Sequence, residues 1–358
     1  MTVLQVCAFG ADHPGNFIAS LEFLEKDLAM RGVRTIYAFV ERAADKEWCQ
    51  EIKKRTKVYF LPEAKARILP MTYQRMRKIY AENDVDIVHS HFELYDIPAT
   101  VTAPKHTKVF WHLHDPISPG GGLRSILWKI QYGYVCKRAT LLSVAERYRN
   151  VVTELGFPEE QTKLVLNGID LSRVERKALC RNPEYDFLTF GWDFERKGDD
   201  LILQACDKLE DDGYCFKLLL NGNENTWAKV DAFLGKRARA YLIKGNPVKD
   251  VGELFGKAKV FIQASRRETF SYAVCEAACA GLPVISSDIP GLEWAHALPT
   301  VTFFENEDAD GLYLQMKAFL DGKIVQQNDV NTSQTYIREN LSIEAWTQRM
   351  IRCYGIEV

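Results

Sequence analysis

The sequence lacks most of the short motifs that announce common enzyme classes. No G-x-G-x-x-G run follows its first strand-like segment. The loop there is Gly10-Ala11-Asp12-His13-Pro14-Gly15, which speaks against a nicotinamide dinucleotide site. No G-x-x-x-x-G-K-[S/T] phosphate loop, G-x-S-x-G nucleophile turn or H-E-x-x-H zinc helix occurs. The nine cysteines form no C-x-x-C pair and are scattered, as expected of reduced thiols in a cytoplasm. Cys275 and Cys279 sit four apart on one helix face and read as core packing. No run of 18 apolar residues exists, so no membrane span is expected. The first lysine or arginine is Lys26, so the opening Val3–Phe9 reads as a buried strand and not as a secretory signal. Neither charge sign dominates. The 46 Lys and Arg face 48 Asp and Glu, a net charge of −2, which disfavours a nucleic-acid coat.

What is present is an ordinary globular composition, 47% hydrophobic and 26% charged, over 358 residues. That length suggests two domains. Charge is unevenly spread: residues 1–170 carry 23 basic and 20 acidic side chains, and the remainder carries 23 and 28. The basic runs Lys53-Lys54-Arg55-x-Lys57 and Arg75-x-Arg77-Lys78 are solvated faces or a contact with a lipid-linked acceptor or anionic membrane. Six of the seven histidines lie in the first 114 residues, four of them as the pairs His89/His91 and His112/His114. On strands each i,i+2 pair points to one side. Four imidazoles could form a zinc site, but no carboxylate or cysteine stands at ligand spacing, so strand-end packing is the expectation and no metal is assigned.

Short apolar runs alternate with amphipathic ones. Strand-like segments are Val3–Phe9, Thr35–Val40, Val58–Leu61, Asp86–His89, Lys108–His112, Leu141–Val144 and Lys163–Leu166. Asn16 is expected to cap a helix whose stripe is Ile18, Leu21, Leu24 and Leu28 and which ends at Gly32. After a polar stretch from Asp170 to Asp186 the pattern restarts at Phe187–Gly191. It continues with Phe216–Leu220, Ala240–Lys244, Val260–Gln263, Pro283–Ser286 and Thr300–Phe304. The expected fold class is α/β, two Rossmann-like doubly wound domains over 1–172 and 184–338, with the terminal segment 341–358 added to the first. Tandem domains of this kind usually take a ligand in the cleft at their strand carboxyl ends.

The segment from Phe261 to Ile285 has the most readable geometry. A buried strand ends near Ala264, a polar loop follows, a helix starts near Ser271, and Gly281 and Pro283 stop it. Glu268 falls in the loop. Glu276 falls inside the helix among small and apolar residues, where a carboxylate must face a partner or a ligand. The amides of Thr269, Phe270 and Ser271 lie at the helix N-terminus, which suits phosphate oxygens. An anion cradle with a hydroxyl acceptor on either side fits a sugar joined through a diphosphate to a ribose.

Glu268-x7-Glu276, Ala-x-Ala-x-Gly-x-Pro-Val-Ile and the Ser287–Glu293 stretch together resemble the signature of retaining GT-B glycosyltransferases of family 4. Other segments agree. Asp86-Ile87-Val88-His89-Ser90-His91 is similar to the family's D-h-V-H-x-H strand end, and Val109 to Asp115 to its strand ending in His-Asp. Leu166-Asn167-Gly168-Ile169-Asp170 resembles the N-G-h-D turn. Gly191-Trp192-Asp193-Phe194-Glu195-Arg196-Lys197-Gly198 resembles G-R-x4-K-G. The stretch from Leu341 to Tyr354 resembles the helix that crosses back to the first domain.

The resemblance implies transfer of a sugar from a nucleotide donor, UDP- or GDP-linked, to a hydroxyl of a glycan or lipid-linked acceptor. By match, Glu276 would bind the ribose and Glu268 the sugar hydroxyls. Lys197 would neutralise the diphosphate, Gly15 would let backbone approach the donor phosphates, and His114 would stand by the transferred sugar. No metal or cofactor is implied, and no nucleic-acid partner. The implied location is the cytoplasm or the inner face of its membrane. Trp192 departs from the pattern where the family has Arg; Arg196, or else Arg266, would then replace it at the diphosphate. Thr269 stands where Gly is common. Two other functions fit the same fold: a nucleotide-sugar epimerase or hydrolase, and a non-catalytic nucleotide-sugar-binding subunit.

Overall fold

The computed structural model describes residues 1–356 except 116, 118–121, 175–182, 236–238 and 249–250. The chain divides into two compact units. One comprises Met1–Gly168 with Ile343–Val358, and the other Ile169–Ser342. The expected linker from Asp170 to Asp186 lies partly outside the described residues; its last two positions belong to a strand.

In the first unit seven strands form one parallel sheet: β1 Thr2–Cys7, β2 Arg34–Val40, β3 Val58–Leu61, β4 Ile87–His91, β5 Lys108–Leu113, β6 Ala139–Ser143 and β7 Thr162–Leu164. Their order is β3-β2-β1-β4-β5-β6-β7. β1 and β4 are buried along their whole length, so the polar Gln5, His89, Ser90 and His91 they carry are enclosed with the apolar ones. The helix Gly15–Met30 follows β1 and buries Ile18, Leu21, Leu24 and Leu28, the expected stripe. Its start differs from expectation. The Ile18 amide already donates to the Pro14 carbonyl, so Pro14 takes the cap position and Asn16 is buried inside the first turn. The helix Ile343–Tyr354 packs against Gly15–Met30 and sends Trp346, Met350, Ile351 and Tyr354 into this unit's core.

The second unit repeats the plan with six parallel strands: β8 Tyr185–Phe190, β9 Leu218–Asn221, β10 Leu242–Gly245, β11 Ala258–Gln263, β12 Val284–Asp288 and β13 Val301–Glu305. Their order is β10-β9-β8-β11-β12-β13. In each sheet the chain order reverses once, between β1 and β4 and between β8 and β11. Doubly wound sheets bind ligands outside the carboxyl ends of strands at such a reversal. Both units are therefore Rossmann-like, as expected.

Candidate active site

The reversal in the second unit gathers the charged residues that the sequence singled out. Beyond β8 the chain makes the short helix Phe194–Lys197, capped by Asp193, whose carboxylate accepts from the Arg196 amide at 3.4 Å. Gly198 then turns the chain with φ of +68°; a Cβ there would lie 2.1 Å from the Ala264 carbonyl oxygen beyond β11. That contact brings the β8 turn against the β11 loop. Lys197 Nζ donates to Glu268 Oε1 at 2.6 Å, and Arg196 Nη1 reaches the same oxygen at 3.2 Å. Gln263 Nε2 and Ser265 Oγ, both buried, also donate to it, each at 3.0 Å. Four donors converge on one carboxylate oxygen with little exposure of the lysine or the glutamate.

The loop carrying Glu268 is fixed by the segment after β12. Ser287 Oγ donates to the Ser265 carbonyl at 2.6 Å. Trp294 Nε1 donates to the Phe270 carbonyl at 2.9 Å, and the two rings stack at 5.0 Å. Gly291, with φ of +91°, would place a Cβ 2.3 Å from the Glu268 carbonyl oxygen. The Ser287–Glu293 stretch thus braces the loop. Ser271 caps the helix Tyr272–Cys279 from a left-handed conformation, its Oγ accepting from the Val274 amide. Thr269 and Phe270 precede that cap, and Phe270 is buried. Glu276 is buried within this helix, and Arg173 Nη1 approaches it at 3.8 Å.

The two arginines considered as replacements at the Trp192 position separate clearly. Arg196 stands at Glu268. Arg266 is committed elsewhere: its guanidinium forms two 2.8 Å bonds to Asp200, one of 3.1 Å to Glu307 and one of 2.6 Å to the Glu195 carbonyl. Asp199 is fully buried against Gly191, and burial raises its pKa to about 7.

In the first unit the reversal holds the histidines. His114 Nδ1 meets Asn167 Oδ1 at 3.1 Å and its Nε2 meets His91 Nδ1 at 3.0 Å. His91 Nε2 meets Gln5 Oε1 at 3.0 Å; Gln5 Nε2 donates to Tyr354 OH at 3.1 Å, which lies 2.7 Å from His89 Nδ1. All four rings are buried, and burial pulls every one of them below the ordinary histidine pKa, His114 to about 3. With both rings neutral, the His91–His114 pair has two N–H protons for three contacts, so donating to both amide oxygens leaves two lone pairs facing each other between the rings. Nitrogens of His89, His91 and His112 lie within 4.8 Å of one another, a ligand set that transition metals accept. The grouping contains no anion, and a buried dication without counter-charge is costly. Gly15, at the mouth of the loop after β1, has φ of +56° and nothing within 4 Å of its absent Cβ.

Two family models match the chain. "Glycosyltransferase Family 4" covers residues 22–173, and "Glycosyl transferases group 1" covers residues 173–336. The chain belongs to the GT-B glycosyltransferases of family 4/group 1. Solved structures share its fold at low identity. A glycosyltransferase from Rickettsia africae ESF-5 is 16% identical with a TM-score of 0.81, over 99% of this chain and 97% of that one. HepE of Anabaena in complex with UDP is 14% identical, with a TM-score of 0.76 over 99% and 100%. A sucrose-phosphate synthase from Thermosynechococcus elongatus is 14% identical, with a TM-score of 0.78 over 99% and 98%. No curated protein sequence matches the chain significantly.

Several residues of this glycosyltransferase's site carried no sequence signal of their own. Gln263, Ser265 and Arg173 are ordinary polar residues until the fold sets them beside Glu268 and Glu276, and Asn167, quoted only for its turn, is set beside His114. The basic runs change in character too. Lys54, Arg55, Lys57, Arg75 and Lys78 each pair with a glutamate of their own unit, Lys57 and Lys78 with the same Glu82. Among the described residues no helix is long and apolar enough to cross a membrane. A cavity of about 520 Å³ lined by Asp186, Lys259, Pro283 and Phe319 lies at the amino ends of β8, β11 and β12, the end of the sheet away from the site.

Proposed function

We propose that the chain is a retaining glycosyltransferase. It would move a hexosyl group from a UDP- or GDP-linked donor to a hydroxyl of a glycan or lipid-linked acceptor, in the synthesis of a cell-surface polysaccharide or glycolipid. The observation that carries this is the meeting of Lys197, Arg196 and Glu268 at the strand reversal, with Glu276 buried in the next helix. HepE's complexes with UDP and UDP-glucose favour a uridine donor.

In this scheme the donor's bond between the anomeric carbon and the phosphate oxygen breaks, and the diphosphate leaves with the electron pair. The acceptor oxygen attacks from the same face, and its proton passes to the departing phosphate oxygen. Negative charge grows on the diphosphate where Lys197 and Arg196 stand, so their attraction is stronger in the transition state than before it. A phosphate oxygen would compete with Glu268 for the Lys197 ammonium and free that carboxylate to accept sugar hydroxyls. The amides of Thr269, Phe270 and Ser271 would add phosphate contacts, Glu276 would take the ribose hydroxyls, and backbone at Gly15 would approach the phosphates. His114, held neutral by burial, would contact the transferred sugar without repelling the positive charge that develops on it. No metal or cofactor has a part in these steps.

Thermal unfolding against UDP, GDP, ADP, CMP and their sugars tests the donor site. A ligand at 100 times its dissociation constant adds ~2.7 kcal/mol. A selective rise with one base, lost in Glu276→Ala, is the expected result; a flat panel refutes a competent donor site. Trp192 in place of the family arginine favours, as second reading, a binder without turnover. Product analysis with donor alone and with donor plus acceptor separates that reading, and the epimerase or hydrolase, from the transferase.

A further inference from the structure

The large apolar side chains of the second unit are mostly withdrawn from solvent at the strand carboxyl ends, and Trp192 is not. It is 50% exposed, against 6% for Trp294, which anchors the neighbouring loop. A tryptophan placed for packing would be buried, because exposure forfeits most of its hydrophobic contribution. The indole instead lies at the end of β8 with one edge tethered. Its Nε1 donates to Asn221 Oδ1 at 3.4 Å, and the Phe190 ring sits beside it at 5.9 Å.

The tether continues sideways. Asn221 is the last residue of β9, and its Nδ2 donates to the carbonyl of Asn246, the first residue after β10. One carboxamide therefore joins the ends of three adjacent strands and fixes the indole over them. The chemistry there is uneven. Charge lies on one side, four and five positions beyond the tryptophan, where Arg196 pairs with Asp193 and Glu268 and Lys197 with Glu268. Towards β9 and β10 lie a flat uncharged ring and the polar edges of Asn221 and Asn246, and the chain runs on from Asn246 to the part-exposed Val248. A ligand matching both sides has a charged group joined to a flat heteroaromatic one with hydrogen-bonding edges. Within a nucleotide-sugar donor the diphosphate is the first and the nucleobase the second.

We propose that Trp192 is the stacking platform for the donor's nucleobase, whose edge then faces the loops at Asn221 and Asn246. This rests on the donor-site reading above and adds to it the residue that holds the base. The exchange of the family arginine for tryptophan moves binding energy from the phosphates to the base. The remaining cations, Arg196 and Lys197, keep the phosphates.

The test titrates the full chain with UDP and GDP, and separately with inorganic pyrophosphate, which has charge but no base. Binding is measured by calorimetry and by tryptophan fluorescence. Stacking on an aromatic is typically worth a 5- to 150-fold change in affinity per base, roughly. Trp192→Ala should weaken the better-bound nucleoside diphosphate by about 10-fold or more and leave pyrophosphate affinity unchanged. Trp192→Phe should keep nucleotide affinity within about threefold of the parent while removing most of the fluorescence quenching. Nucleotide affinity unchanged in Trp192→Ala overturns the proposal, as does a parallel loss for nucleotide and pyrophosphate. Should the parent chain bind neither nucleotide, the donor-site reading fails with it, an outcome visible before any variant is made.

Discussion

Acid should destabilise the first unit well before it harms the second. His89, His91, His112 and His114 are buried and held below the ordinary histidine pKa, His114 at about 3. In the unfolded chain each titrates near ~6.5. Above that pH neither state binds the protons, and the cluster imposes no penalty. Below it the unfolded chain takes up protons that the folded unit refuses, so stability falls as pH falls, down to the folded value. From pH ~7.5 to ~5.5 each histidine removes about 1.4 kcal/mol, or about 5 kcal/mol for all four. Asp96, buried in the same unit with its pKa raised to about 7, is protonated first in the folded state and works the other way. It restores about 2 kcal/mol over that range and Asp115, raised by burial, acts in the same direction, leaving a loss of at most about 3 kcal/mol from a domain stability of roughly 5–15 kcal/mol. In the second unit the one histidine, His296, is exposed, and Asp199, raised to about 7, adds stability on acidification. Hydrogen exchange along a urea series, resolved peptide by peptide, reads the two units separately. His112 lends itself to substitution, because its ring is fully buried and its polar contact is limited to the Val165 backbone. His112→Phe should reduce the acid-induced loss by about 1.4 kcal/mol. A first unit equally stable at both pH values, or an unchanged slope in His112→Phe, would refute the account.

Other outcomes follow from the site. Lys197→Met should lower nucleoside diphosphate affinity about 10-fold or more and spare the bare nucleoside, since its ammonium is placed for phosphate; equal loss for both in calorimetry would show a merely structural lysine. Arg266→Ala should leave diphosphate affinity unchanged, because its guanidinium is spent on Asp200 and Glu307, and should lower only the melting temperature. Gly198→Ala must bear about 1–2 kcal/mol for a left-handed backbone and a clash with the Ala264 carbonyl besides. Chemical denaturation of that variant should show a loss larger than the backbone term alone; a loss under 1 kcal/mol (roughly half of it) would mean the β8 turn and β11 loop are not pressed together.

Much of the fold was legible locally. Burial on both faces turns a parallel strand into an apolar run, so β1, β2 and β11 could be read within a residue or two from the sequence; β3, an edge strand only partly buried, was legible as a short apolar run. The stripe Ile18, Leu21, Leu24 and Leu28 was legible because helical period is a property of neighbours in the chain. The candidate site residues Lys197, Glu268 and Glu276 stood out because their motifs are contiguous. Contacts between distant residues were not legible. Nothing in Asn16 tells that Pro14's carbonyl is already bonded, and nothing in Arg266 tells that Asp200 lies opposite it while Arg196 reaches Glu268. The tie from Trp192 through Asn221 to Asn246 spans 54 positions and exists only because β8, β9 and β10 lie side by side. The chain of bonds from Asn167 to Tyr354 needs β1, β4, the end of β5 and the last helix at once. Sequence by itself determined which segments become strands and helices and which motifs they carry, because hydrophobic period and turn chemistry are local. Tertiary structure alone decided which charge meets which, because pairing depends on strand order, and strand order brings together residues far apart in the chain.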